Sequence, residues 1–149
     1  MYFWALFLLK KNKMATYKVE EIEGIGPALG EKLRANGINT IEKLLDNANT
    51  KKERQVLAEK TGISEKLILK FTNMADLFRI NGIGQEYAEL LEVSGVDTVP
   101  ELAQRNATNL VAKMEEVNEA KNLTRKTPSV TDVEKWIAQA KELPRVIEY

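Results

Sequence analysis

The 149-residue chain has no cysteine and no histidine. Without cysteine there are no disulfides and no thiolate metal sites, and a reducing cytoplasm is the natural home. Without histidine the chain loses the commonest general base and metal ligand, and with them every Ser/His or Cys/His dyad. Carboxylates can still hold a hard metal, but none of the 22 Asp and Glu residues sits in a loop of the D-x-D-x-D-G kind. No lysine has a context that marks it as desolvated or activated for Schiff-base chemistry. The expectation is a protein that is not an enzyme and that carries no cofactor and no resident metal. An excess of one charge is missing too, since 22 Lys and Arg balance 22 Asp and Glu. No global field draws the chain to nucleic acid, and any such binding has to be local.

Long hydrophobic runs are absent as well. Met1 to Leu9 is a continuous apolar stretch closed by Lys10-Lys11-Asn12-Lys13, far below the roughly 20 residues that cross a bilayer. Its positive charge follows the apolar part, the reverse of a secretory signal, and no small-residue cleavage site comes after it. No membrane span is expected. Met14-Ala15-Thr16-Tyr17 reads as an ordinary cytoplasmic start, which leaves residues 1–13 as an apolar-basic extension outside the fold. The rival reading is an interfacial anchor, whose aromatics need a lipid surface or a partner.

What is present is a repeat. Ile22-Glu23-Gly24-Ile25-Gly26 through Leu44 matches Ile80-Asn81-Gly82-Ile83-Gly84 through Leu102 without a gap, 58 residues apart. The tails match at a spacing of 66, with Phe71, Met74, Leu77 and Arg79 against Ile137, Ala140, Leu143 and Arg145. The second copy therefore holds eight extra residues between about Asn118 and Ser129. Apolar spacings of three and four with capping residues predict helices throughout. Gly37 and Gly95 suit the left-handed position after a helix end. Thr40, Thr50, Ser64, Thr98, Thr108 and one of Ser129 or Thr131 are the expected N-caps. The fourth helix is expected to carry Leu67, Phe71, Met74 and Phe78 along one face. No strand pair is evident, although a short extended entry fits Tyr17 to Val19.

The unit apolar-x-Gly-apolar-Gly, a small residue four positions on (Gly30, Ala88), then Gly-apolar-x-Thr, resembles the helix-hairpin-helix motif in both copies. The first glycine permits an unusual backbone angle, the second lets a ligand come close, and Ile25 or Ile83 between them turns inward. The fold expected is all-α: a tandem duplicated helix-hairpin-helix repeat of the SAM-like helical kind, with short loops and no sheet. Its halves are residues 14–79 and 80–149, packed together as one globular unit. In motifs of this kind hairpin amides and the following helix N-terminus face a nucleic-acid phosphate, which needs no side-chain charge and reads no sequence. Such hairpins can also hold a monovalent cation through their carbonyls.

Charge separates the two copies. Three acids and three bases lie between Ile22 and Leu44, whereas Ile80 to Leu102 holds Glu86, Glu89, Glu92, Asp97 and Glu101 with no Lys or Arg. Phosphate affinity rests mainly on neutralised charge, so the second hairpin should repel a duplex. The first hairpin, Gly24, Ile25 and Gly26 with Lys32, Arg34, Lys66 and Lys70, is the candidate contact for a DNA or RNA backbone. The second, Gly82, Ile83 and Gly84, is expected to be a structural or partner-binding turn. Residues 56–67 also resemble the two-helix turn of a helix-turn-helix, which would present Glu65, Lys66, Leu69, Lys70 and Asn73 to a groove. Two amphipathic helices with a solvated face explain the same pattern.

These elements in this order resemble a bacterial family of small helix-hairpin-helix proteins known as domain of unknown function 4332. Ile22-Glu23-Gly24-Ile25-Gly26-Pro27, Thr61-Gly62-Ile63-Ser64, Ala75-Asp76-Leu77, Glu101 to Asn106 and Trp136 to Pro144 carry the resemblance, which covers 19–149. It implies a domain that fills almost the whole protein and is silent on activity. Two functions stand nearly level: a non-enzymatic, sequence-independent nucleic-acid-binding module, and a protein-interaction or self-association module with no nucleic-acid role.

Overall fold

The helices begin where side-chain oxygens can cap them. In the computed structural model, which describes residues 17–149, eight α-helices follow one another and no strand is formed among the described residues. They are α1 (Pro27–Ala35), α2 (Ile41–Asn47), α3 (Lys51–Thr61), α4 (Glu65–Leu77), α5 (Gln85–Val93), α6 (Val99–Ala103), α7 (Ala107–Lys121) and α8 (Val130–Glu142). A short 3-10 turn, Val19–Glu21, precedes them. The extended entry is a single antiparallel bridge between Lys18 and Thr40. The amides of Lys43, Glu53, Leu67 and Glu101 donate to Thr40, Thr50, Ser64 and Thr98 at 3.1–3.2 Å, so one of the free N–H groups at the start of each of α2, α3, α4 and α6 is satisfied.

Two starts needed the structure to settle. Asn106, not Thr108, caps α7, with its side-chain oxygen accepting from the Asn109 amide at 3.0 Å; asparagine is at least as strong a cap, and Thr108 falls inside the first turn. Ser129 caps α8 in a reciprocal pair with Asp132. Hydrogen bonds from Ser129 hold the Asp132 carboxyl below the usual carboxylate range.

The chain forms two compact units, residues 17–75 with Val146–Tyr149, and Asp76–Arg145, the division falling in the last turn of α4. In the first unit α1 packs on the 3-10 turn and α2 on α3. The inward stripe of α4 is Ile68, Phe71, Met74 and Ala75, all buried, whereas Leu67 is 40% exposed. The expected apolar face was one residue out of register at its start. Asn73 is buried and its oxygen accepts from the Tyr149 hydroxyl at 3.0 Å. It is therefore not presented to a groove, and the recognition-helix reading of α4 loses one of its contacts.

Arg54 organises this unit's last segment. Its guanidinium is buried and donates to the carbonyls of Ala48 (3.0 Å) and Glu148 (2.6 Å), while the Glu148 amide donates to Asn49 at 2.7 Å. Ile147 is buried beside this clasp. In the second unit α8 packs against α6 and α7, and α7 against α5. The extra residues before α8 close on themselves: Asn118 bonds the Thr124 backbone in both directions, at 2.9 and 3.1 Å. At the entry Arg79 pairs with buried Asp76 at 2.5 Å and reaches the Pro144 carbonyl at 3.2 Å. Burial raises the Asp76 carboxyl above its ordinary value, and the Arg79 charge opposes the shift only in part.

Replacing Arg54 by Ala removes two charge-assisted hydrogen bonds from a buried position and should cost about 2–4 kcal/mol. Urea unfolding followed by helical circular dichroism measures this; a cost under about 0.5 kcal/mol, the range of an ordinary surface change, would refute the clasp.

Candidate functional site

Both Gly-Ile-Gly segments make the same turn by the same local means. Gly24 and Gly82 have φ of 97° and 100°, a region that side chains with a Cβ rarely adopt. The amides of Ile25 and Ile83 donate back to Ile22 and Ile80 at 3.1 Å, and both isoleucines are buried. Gly26 and Gly84 follow with extended backbone and act as N-caps of α1 and α5. Each carbonyl accepts the first helical bond, from Gly30 and Ala88 at 2.9 Å. An aromatic from the last helix of its own unit underlies each turn. A Cβ on Gly24 would lie 3.2 Å from the Phe71 ring, and one on Gly82 would lie 2.7 Å from Trp136 Nε1. The sequence tails had set Phe71 against Ile137; in this role its counterpart is Trp136.

The starts of α1 and α5 stand apart from the other six helices. Neither glycine cap supplies a side-chain acceptor, and nothing lies within 4 Å of where a Cβ on Gly26 or Gly84 would stand. In α1 the leading donors are the Ala28 and Leu29 amides, because Pro27 has no N–H. The positive end of the helix dipole faces the same opening.

Side chains then make the turns unlike. Beside the first lies an open hollow of about 570 Å³ lined by Glu20, Ile25, Pro27, Glu31 and Arg34. Arg34 is ion-paired to Glu20. Gly30 makes room for that carboxylate: a Cβ there would stand 2.5 Å from Glu20 Oε2. Among the residues expected to make the contact, the structure brings Ile25 and Arg34 to this hollow. Lys32, Lys66 and Lys70 are exposed on α1 and α4 but do not line it. Glu20 was missed because the charge count began at Ile22. The available signal was the small-residue position, Gly30 here against Ala88 58 residues on, paired with Glu20 here against Phe78.

The second turn is clamped. The Gln139 side chain accepts from the Asn81 amide at 2.9 Å and donates to the Asn81 carbonyl at 3.2 Å. Tyr87 leans on Trp136 with ring centres 5.2 Å apart and donates its hydroxyl to the Lys126 carbonyl at 3.0 Å. Burial, then the charges of Asp132 and Glu86, push the Tyr87 phenol up. Farther along, burial and the hydrogen bond and charge of Asp97 raise the Glu101 carboxyl. Burial first, and then the neighbouring Asp97, work against the charged form of Glu101. Among the described residues no group of three or more potential ligands is placed to hold a metal ion, and no helix is long and apolar enough to cross a membrane. The expectations for residues 1–13 and for Met14 as initiator lie outside the described residues.

The family model for a domain of unknown function (DUF4332) matches residues 23–143, and the chain belongs to that family. No curated protein and no solved structure matches the chain.

The four turn glycines should separate cleanly by stability. Gly82→Ala forces a Cβ into a positive-φ position against Trp136 and should cost about 1–3 kcal/mol or more. Gly84→Ala meets neither obstacle and should cost under about 1 kcal/mol. Equal losses in thermal unfolding of the two variants would contradict the assignment of roles.

Proposed function

For a member of a family whose description names no activity, function rests on the chain's own geometry, and we propose that this is a non-enzymatic tandem helix-hairpin-helix module. Its first hairpin contacts the phosphate backbone of nucleic acid without reading sequence. The observation that carries the reading is the contrast among helix starts. In six helices a capping side-chain oxygen accepts one of the leading N–H groups. The two that follow Gly-Ile-Gly start at a glycine that supplies no side-chain cap and has open space where a Cβ would stand. An anionic oxygen is the natural occupant of such a place.

The first hairpin is the better candidate of the two. Lys32, Arg34, Lys66 and Lys70 belong to its unit, whereas α5 opens with Glu86 and its turn is already held by Gln139. The acids Glu20, Glu23 and Glu31 near the first hairpin make this a weak contact, because they oppose the charge neutralisation on which phosphate affinity rests. A second reading, docking of a protein partner or of another copy, is favoured by the acidic second hairpin, where Asp97 and Glu101 crowd one another. The two readings share a fold and divide over which hairpin touches the ligand.

Fluorescence anisotropy of a labelled duplex, titrated at several salt concentrations, tests the phosphate reading. Log affinity should fall as log salt rises. Gly26→Asp should weaken binding by roughly tenfold or more, since aspartate caps the helix well while setting a carboxylate where the phosphate belongs. Gly84→Asp should change little. No wild-type binding at low salt would end this reading and leave the protein partner.

A further inference from the structure

The cationic side chain that lines the hollow beside the first hairpin is already occupied. Arg34, in the last turn of α1, shares a helix face with Pro27 and Glu31 at the rim of the hollow, and its guanidinium is paired with Glu20 from the 3-10 turn. Three features show that this pair is built into the unit. Glu20 is only 25% exposed in its side chain, against 54% for Arg34. Its carboxylate occupies the space that the absent side chain of Gly30 leaves, with Oε2, Cγ and Cδ all within 3.0 Å of the place a Cβ would take. And its second oxygen, Oε1, is buried with no hydrogen-bond partner. The carboxylate thus gives up hydration at one oxygen to reach the arginine with the other.

The second unit has none of this. The positions that match Glu20, Gly30 and Arg34 at the 58-residue spacing are Phe78, Ala88 and Glu92. Phe78 is fully buried, as is Ala88. An apolar residue therefore satisfies the fold at that position, with a side chain of normal size beneath it. Packing alone does not call for a carboxylate at 20, for a glycine at 30, or for an arginine at 34. The three make sense together, as a charge, its counter-charge and the room for both.

We propose that the Glu20–Arg34 pair is an autoinhibitory latch on the first hairpin, which holds Arg34 away from phosphate until the ligand displaces the carboxylate. The inference rests on the phosphate reading above and specifies how that site is regulated. A phosphate oxygen entering the open start of α1 competes with Glu20 for one guanidinium, and the displaced carboxylate stays close enough to repel it. Binding in the latched state draws on the backbone amides and the outlying lysines. Unlatched, it gains a cation at the rim, and the number of counterions released rises by about one.

Glu20→Gln keeps the shape of the side chain and removes its charge. Gly30→Ala, which copies the second unit, pushes the carboxylate out of its slot from the other side, at the flexible end of Glu20, in a helical position where alanine is favoured. Both are compared with wild type in the duplex titration across salt, with melting curves to show that each variant is folded. The latch predicts that both bind tighter, by roughly tenfold for Glu20→Gln, with a salt slope steeper by about one counterion. Adding Arg34→Gln to Glu20→Gln should return both quantities to wild type. If wild type binds and weakens with Gly26→Asp, yet Glu20→Gln leaves affinity and slope unchanged, the latch is wrong and the phosphate site stands. A gain in affinity that survives Arg34→Gln also overturns the latch, because charge removal alone then explains it. If neither wild type nor Glu20→Gln binds at low salt, the phosphate reading itself has failed.

Discussion

Everything distinctive about this chain depends on a glycine with positive φ seated on an aromatic ring. At Gly24 and Gly82 the backbone takes an angle near 100° while Phe71 or Trp136 lies where a side chain would be. The reversal lets Ile22 and Ile25, or Ile80 and Ile83, enter the core from both sides of the bend. It also delivers the chain to the next helix through a second glycine that has no side chain to cap it. The open helix starts on which the functional reading rests are thus a consequence of how the turn is packed, within each unit separately.

Much of this was legible from the residues because glycine and capping residues act locally. Gly24, Gly26, Gly37 and their partners at 82, 84 and 95 announce themselves by position, and Thr40, Thr50, Ser64, Thr98 and Ser129 sit under the helices they were expected to open. Errors arose where a neighbour competed on nearly equal terms. Asn106 took the cap from Thr108, and Ile68 took the core place expected for Leu67 one residue away. The clasp of Arg54 on Glu148 spans 94 residues and the clamp of Gln139 on Asn81 spans 58. Neither a buried arginine nor a glutamine on a helix carries a local mark of its distant carbonyl or amide, so no pattern along the chain could show them.

The chemistry of the two turns was harder to see than their shape. Counting charge from Ile22 gave a neutral first copy, but the residue that matters most to Arg34 lies two positions earlier and reaches it through the gap at Gly30. Conversely, the acids of the second copy were plain, and their crowding is real at Asp97 and Glu101. What sequence did not show is that this turn is also closed from below, by Gln139 on the Asn81 backbone. The same backbone is therefore an open start beside a paired arginine in one unit and a start that follows a clamped turn, among carboxylates, in the other.

That contrast is the core of the account, and it can be observed amide by amide. Nitrogen–proton correlation spectra recorded while a short single-stranded oligonucleotide is added should show the largest shifts at Ala28 and Leu29, the leading donors of α1. The amides of Gln85, Glu86 and Tyr87, at the start of α5, should stay in place. Movement at the start of α5 equal to or greater than that at Ala28 and Leu29, or none at those two residues at saturating ligand, would contradict it.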